Sequence, residues 1–242
     1  MPMIPRARFI MLNLYHILID GLFDSVPVVL AFMALAFGSG ETDVGLVVSL
    51  GAALSTAVGL GTGLFSRRFG FNGSVALLIG LAGLGYLGAA FAGSMITAGA
   101  CFVLAMAGFA AFHNIAFSYI TANTERQSLG RIMSDFTAIG DVGRIPLVSF
   151  AAFAAAYSVG TMPGWRAVCL GYGVLALCAA LWLFCKAAKH STADDNALAG
   201  EPAAGAEAQP APEAQSFCRV QHTEKPGCLS GHACQHAQRL QQ

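Results

Sequence analysis

Charge is the scarcest property of this sequence. Only 11% of its 242 residues are Asp, Glu, Lys or Arg, against 56% hydrophobic residues. A water-soluble domain carries roughly one quarter charged residues, so composition argues against a solvated globular surface. Basic and acidic residues number 13 each, and the formal net charge is zero. Nothing therefore supplies the basic face that nucleic acid requires, and no acidic partner is implied. Catalytic signatures are missing as well. The sequence has no HExxH, no GxSxG, no Walker loop and no paired Cys–His redox motif. Those gaps argue against metallopeptidase, serine-hydrolase and ATP-driven chemistry. Neither an enzyme nor a bound cofactor is expected.

Long apolar runs are what the sequence does have. A helix needs about 20 apolar residues to cross the hydrocarbon core of a bilayer. Six segments qualify, at Phe9–Phe37, Val44–Phe65, Val75–Ala92, Ile96–Ile120, Phe136–Val159 and Arg166–Phe184. Turn residues divide them: Gly38-Ser39-Gly40, with Thr42-Asp43 as the expected cap of the second helix, Gly70-Phe71-Asn72-Gly73, and Met162-Pro163-Gly164. The basic start at Arg6 and Arg8 resembles a signal peptide. The run that follows is too long, contains His16, Asp20 and Asp24, and has no small-x-small cleavage site, so it is read as a retained span. The expected fold is an all-α membrane protein: a six-helix transmembrane bundle over residues 1–189, then a disordered cytoplasmic tail over 190–242.

Orientation follows from the basic residues near the span ends. Arg6 and Arg8, Arg67 and Arg68, Arg126 and Arg131, and Lys186 and Lys189 fall on one side, and Arg166 alone on the other. Both termini are thus expected in the cytoplasm, with a bacterial inner membrane as the location. Gly51, Ser55, Gly59 and Gly63 recur every fourth residue and give the second helix a smooth stripe for close contact. Gly85, Ala89 and Gly93 repeat this in the third.

Polar residues inside such spans are costly and mark function or interhelical ties. Asn13, His16, Asp20 and Asp24 are spaced by three, four and four. At 100° per residue they fall within about 80° of one another, on one stripe of the first helix. The stripe must face a bundle interior or a water-filled path. His16 and Asp20, one turn apart, have the chemistry of a proton relay; the alternative is a satisfied polar cluster that pins helices together. In the fourth helix His113 and Asn114 suit either a solute-binding role or an interhelical hydrogen bond. Asp141 and Arg144 can pair on one face of the fifth helix, as a conformational latch, and Gly140, Gly143 and Pro146 around them suggest a bend.

Seven cysteines divide into two groups. Cys101, Cys169, Cys178 and Cys185 lie in apolar runs and read as packing residues. Cys218, His222, Cys228, His232, Cys234 and His236 in the tail are ligand types, but their spacing fits no closed zinc pattern, and no metal site is expected. The shift to Gln, His and Cys there suggests sequence that follows a truncation or frameshift.

Several of these residues carry a family resemblance. The stretch His16-Ile-Leu-Ile-Asp20-Gly-Leu-Phe-Asp24-Ser-Val-Pro27, continuing to Phe37-Gly38, resembles the first helix of major facilitator transporters. It is most similar to the fosmidomycin-resistance-like group, whose His, Asp and Pro spacing it shares, and Phe112-His113-Asn114 resembles that group's Phe-His-Pro. Gly63, Arg68 and Gly70 match the loop motif G-x-x-x-D-R-x-G-R-R between helices two and three. Arg67 stands at its Asp, and Phe71 and Asn72 at its last two basic positions. The resemblance covers all six spans. It implies one half of a 12-helix fold, a cavity lined by helices one and four, and secondary transport of a small solute or drug, with proton-coupled efflux as the leading form. His16, Asp20 and His113 would line the path with Asn13, Asp24 and Asn114. Asp141, Arg144, Arg67 and Arg68 would gate it. The expected partners are the bilayer, the solute, protons, and a second six-helix half or a homodimer mate. The competing expectation is a membrane assembly or regulatory subunit that does not transport.

Overall fold

The computed structural model describes residues 4–189. The expected readings of the tail, including its Cys and His residues, lie outside them. Among the described residues there are seven helices: α1 (Arg6–Phe37), α2 (Glu41–Leu60), α3 (Thr62–Ala90), α4 (Met95–Met106), α5 (Phe109–Ala122), α6 (Arg126–Ala155) and α7 (Gly164–Lys189). They form six segments long and apolar enough to cross a membrane, because α4 and α5 are two parts of one span, Met95–Ala122. Large side chains such as Leu35, Leu60 and Ile96 are at least 80% exposed. In water this would be a liability; against lipid tails it carries no penalty. The chain is an integral membrane protein.

Local chemistry sets the ends of the helices. Gly38 stops α1 in the left-handed conformation (φ 67°) with its N–H on the Ala34 carbonyl, a glycine C-cap. The cap of α2 is Gly40 rather than Thr42 or Asp43. Glu41 and Asp43 instead occupy its first turn, where the helix dipole favours negative charge. Ser94 caps α4 in a reciprocal box with Thr97.

Two expected boundaries are corrected. The second span turns at Gly61 instead of continuing to Phe65, and the expected Gly70–Gly73 loop is a single kink at Gly70 (φ 63°, ψ −177°) inside α3. Only glycine adopts that conformation without strain, so one residue does the work expected of four. The fourth span is not one unbroken helix: at Ala107–Gly108 its bonding tightens, with the Ala107 N–H on the Leu104 carbonyl.

Small residues decide which helices meet. A Cβ on Gly140 or Gly143 of α6 would overlap His16 or Ile17 of α1, and one on Gly21 would overlap Leu147. The two helices therefore run parallel and nearly touch. On α2, Val47 fills the space at Gly99, Gly51 receives Met106, and Gly59 abuts Ala110, again in parallel register. In antiparallel register, Gly80 of α3 faces Ala180 of α7, Gly83 receives Leu177, and Gly173 receives Leu87. Exchanging the first three spans for the last three maps the α1·α6 pair onto the pair of the fourth span with α2. The same exchange maps α3·α7 onto itself. This is the pattern of an internal three-plus-three repeat. The glycines at 140 and 143, expected to mark a bend, serve close approach, and α6 continues through Pro146 as one helix.

Candidate functional site

The middle of α1 is the polar heart of the bundle. Asp20 lies near the midpoint of this 32-residue helix and is 3% exposed, as is His16. One turn separates them, and His16 Nε2 stands 3.1 Å from Asp20 Oδ2. From α5, His113 Nε2 stands 3.1 Å from His16 Nε2 and 3.4 Å from Asp20 Oδ1. Asp20 Oδ1 accepts no hydrogen bond despite that proximity. The three side chains converge on a single point.

Their outer edges are held by the backbone. His16 Nδ1 is 3.2 Å from the Phe136 carbonyl of α6, and His113 Nδ1 is 2.9 Å from the Phe109 carbonyl one turn earlier. A carbonyl oxygen only accepts, so both Nδ1 atoms carry the hydrogen and donate it. In each neutral ring Nε2 then presents a lone pair. Two lone pairs and a carboxylate thus face one another, an arrangement that repels itself unless a cation sits within it. Aromatic rings enclose the cluster: Phe136 stacks on His16 with centroids 4.1 Å apart, and Phe112 packs edge-on to His113. Only His113, with 19% of its side chain exposed, leads outward.

The other expected site residues separate from this cluster. Asn13 is buried, donates to the Phe9 carbonyl at 2.8 Å, and leaves its own oxygen unpartnered. Asn114 donates across to the Gly59 carbonyl of α2 at 3.0 Å, so its amide ties two spans. Asp24 belongs with the fifth span: Arg144 Nη1 reaches its carboxylate at 2.7 Å, while Nη2 reaches Asp141 at 3.1 Å. The latch pair expected on α6 is therefore a triad that also grips α1. Arg67 and Arg68 are exposed, and neither has an ion pair among the described residues.

Sequence reasoning did not find several supporting groups. Ser55, in the small-residue stripe, accepts the Ala110 N–H at 2.9 Å. That N–H belongs to the first turn of α5, where the interrupted fourth span leaves donors without a helical partner. Tyr86 and Tyr172, buried in α3 and α7, donate to the carbonyls of Leu22 and Leu147. A buried tyrosine hydroxyl needs a partner, but no spacing names which carbonyl serves.

No family model matches the sequence, and no curated protein matches it. Among solved structures it is similar to the major facilitator superfamily proton:xylose symporter XylE bound to 6-bromo-6-deoxy-D-glucose. The TM-score is 0.59 and the identity 17%, over 73% of this chain and 44% of the symporter. The chain thus spans less than half the length of that carrier. At this identity the likeness speaks to architecture alone, and the architecture is that of a six-helix bundle of the major facilitator fold.

Proposed function

We propose that the chain is one half of a secondary transporter of the fosmidomycin-resistance-like kind, moving a small solute outward in exchange for protons, with both termini in the cytoplasm. The observation that carries this reading is the convergence of Asp20, His16 and His113 at the middle of a membrane-spanning helix. An ionisable trio in that position is expensive to maintain for packing alone. Its lone pairs accept one proton, His113 gives it an outlet, and the XylE-like fold belongs to carriers that alternate access by rocking one bundle against another. A second six-helix bundle, or a second copy of this chain, would form the opposite wall. The Asp24–Arg144–Asp141 triad joins the first and fifth spans and acts as the latch that opens in the cycle.

Proteoliposomes carrying the protein and a pH-sensitive dye test this. Proton movement coupled to solute should disappear in Asp20→Asn and fall sharply in His16→Gln. Coupled movement that persists with both residues replaced overturns the assignment. Single cysteines at Ser39 and Asn123, labelled from outside intact cells, should react at the first position and not at the second. A second reading, that of a non-transporting assembly subunit, draws support from Arg67 standing where the family motif holds an Asp, exposed like Arg68 and without an ion pair among the described residues. Stable co-purification with one defined complex, without solute flux, selects it.

A further inference from the structure

The geometry points to a binding site for a first-row divalent transition metal ion at His16, Asp20 and His113, and we propose that such an ion is the cargo of the pathway. The identity of the cargo rests on the transport reading above; the binding site does not. His16 Nε2 lies 3.1 Å from His113 Nε2 and 3.1 Å from Asp20 Oδ2, and His113 Nε2 lies 3.4 Å from Asp20 Oδ1. With one atom taken from each residue, all three lie within 4.8 Å of one another. Zinc–nitrogen and zinc–oxygen bonds of about 2.0–2.2 Å at a tetrahedral angle place neighbouring ligand atoms about 3.3–3.5 Å apart. Each nearest approach lies within a few tenths of an ångström of that, and because the two imidazoles meet different oxygens of Asp20, the carboxylate would bind through both oxygens or turn to present one.

Three further features suit a bound cation. Each imidazole is oriented by its Nδ1–H on a backbone carbonyl, Phe136 for one and Phe109 for the other, which turns Nε2 inward and fixes the tautomer a metal needs. Two neutral Nε2 atoms 3.1 Å apart have no hydrogen to share, so their approach calls for a cation between them, either a proton or a metal ion. The buried Asp20 Oδ1 has no hydrogen-bond donor and lies 3.4 Å from His113 Nε2. Two imidazoles and one carboxylate suit the zinc, nickel and cobalt class, whereas calcium and magnesium select sets of oxygens. Three protein ligands leave a coordination position for water, on the side where His113 is exposed. The ion would exchange through that opening.

The test uses the full chain in detergent, purified without a histidine tag. Its tail ligands are removed as His190→Ala, His222→Ala, His232→Ala, His236→Ala, Cys218→Ser, Cys228→Ser and Cys234→Ser. Of the six histidines only His16 and His113 remain. Cobalt or zinc is added, excess is removed by gel filtration, and metal per chain is measured together with the visible spectrum of the cobalt form. About one ion per chain is expected, with the intense visible bands of low-coordinate cobalt. Asp20→Asn and His113→Gln should each weaken binding tenfold or more. A folded parent that retains no ion overturns the proposal, whatever the variants do. So does retention undiminished in the His16→Gln, His113→Gln double variant. Flux of zinc into vesicles is measured separately. Binding without flux keeps the site and counts against transport, and proton-coupled flux of another solute by a chain that binds no metal removes the metal while keeping the carrier.

Discussion

Gly140 brings α6 close against the His16 ring, and adding one methyl group there gives the sharpest test of how the cluster is held. A Cβ at this position would overlap His16 Cε1, Nδ1 and Nε2. The ring has little freedom to retreat, because Phe136 stacks on its face at 4.1 Å and the Phe136 carbonyl holds Nδ1 at 3.2 Å. Forcing a methyl group into a filled interior costs about 1–3 kcal/mol. Glycine to alanine in a helix also brings a favourable change of about 0.4–1 kcal/mol, from the narrower unfolded ensemble. Gly130 provides the correction for that term. It lies on the same helix, and a Cβ there would meet nothing within 4 Å. The difference in unfolding free energy between Gly140→Ala and Gly130→Ala therefore isolates the packing term, about 1–3 kcal/mol. Reversible unfolding in mixed micelles, followed by helical circular dichroism, measures it. Proton-coupled flux or cobalt retention should fall in the Gly140 variant alone, since only there is a ligand displaced. Equal stabilities and unchanged coupling in both variants would refute the account of a ring wedged between α1 and α6.

Arg144 distinguishes two ion pairs by exposure. Double-mutant cycles should give about 1.5 kcal/mol for its bond to Asp24, a charged hydrogen bond at 2.7 Å. Its contact with Asp141, which is 54% exposed, should give under about 1 kcal/mol, and the reverse order would contradict the latch assignment. Asn114→Leu should cost about 0.6–1.7 kcal/mol, the range for hydrogen bonds between transmembrane helices, while transport survives. Loss of transport at unchanged stability would return Asn114 to the solute path. Ser55→Ala leaves the Ala110 N–H without its acceptor and should destabilise by about 1–3 kcal/mol in the same micelle assay. No loss would mean that water or another group replaces the hydroxyl.

Much of the architecture could be read from hydropathy alone, because lipid forces every span to satisfy its backbone internally and to present apolar side chains outward. The polar stripe of α1 was equally visible, since spacings of three and four place residues on one helical face whatever the helix packs against. Residues that meet across helices were not visible. Nothing local ties His113 to Asp20, which is 93 positions earlier, or Arg144 to Asp24. Those contacts exist because α6 lies against α1 through Gly140 and Gly143 and because the fourth span also meets α1, where Phe109 stacks on Phe23. The glycines signalled that some helix approaches closely, without naming which. The tightening at Ala107–Gly108 was hidden for a related reason: glycine in an apolar run reads as packing, and the interruption shows in the Ala107 N–H on the Leu104 carbonyl and in the Ala110 N–H taken up by Ser55.

The internal repeat connects these facts. Exchanging the first three spans for the last three carries α1, which supplies His16 and Asp20, onto the fourth span, which supplies His113. The cluster therefore spans the two helices that the exchange relates, where neither three-span unit alone completes it. The same exchange carries α2 onto α6, the two least buried spans. Each of these is the parallel neighbour of a span that bears a ligand. A change in how α6 sits on α1 moves the Phe136 carbonyl that orients His16, and a change in how α2 sits on the fourth span acts through Ser55 and Asn114 on the helix that carries His113. Crosslinking α6 to α1 through cysteines at Gly143 and Ile17 should freeze the proton step while leaving the fold intact. Full coupling in the crosslinked protein would separate the cluster from the packing that surrounds it.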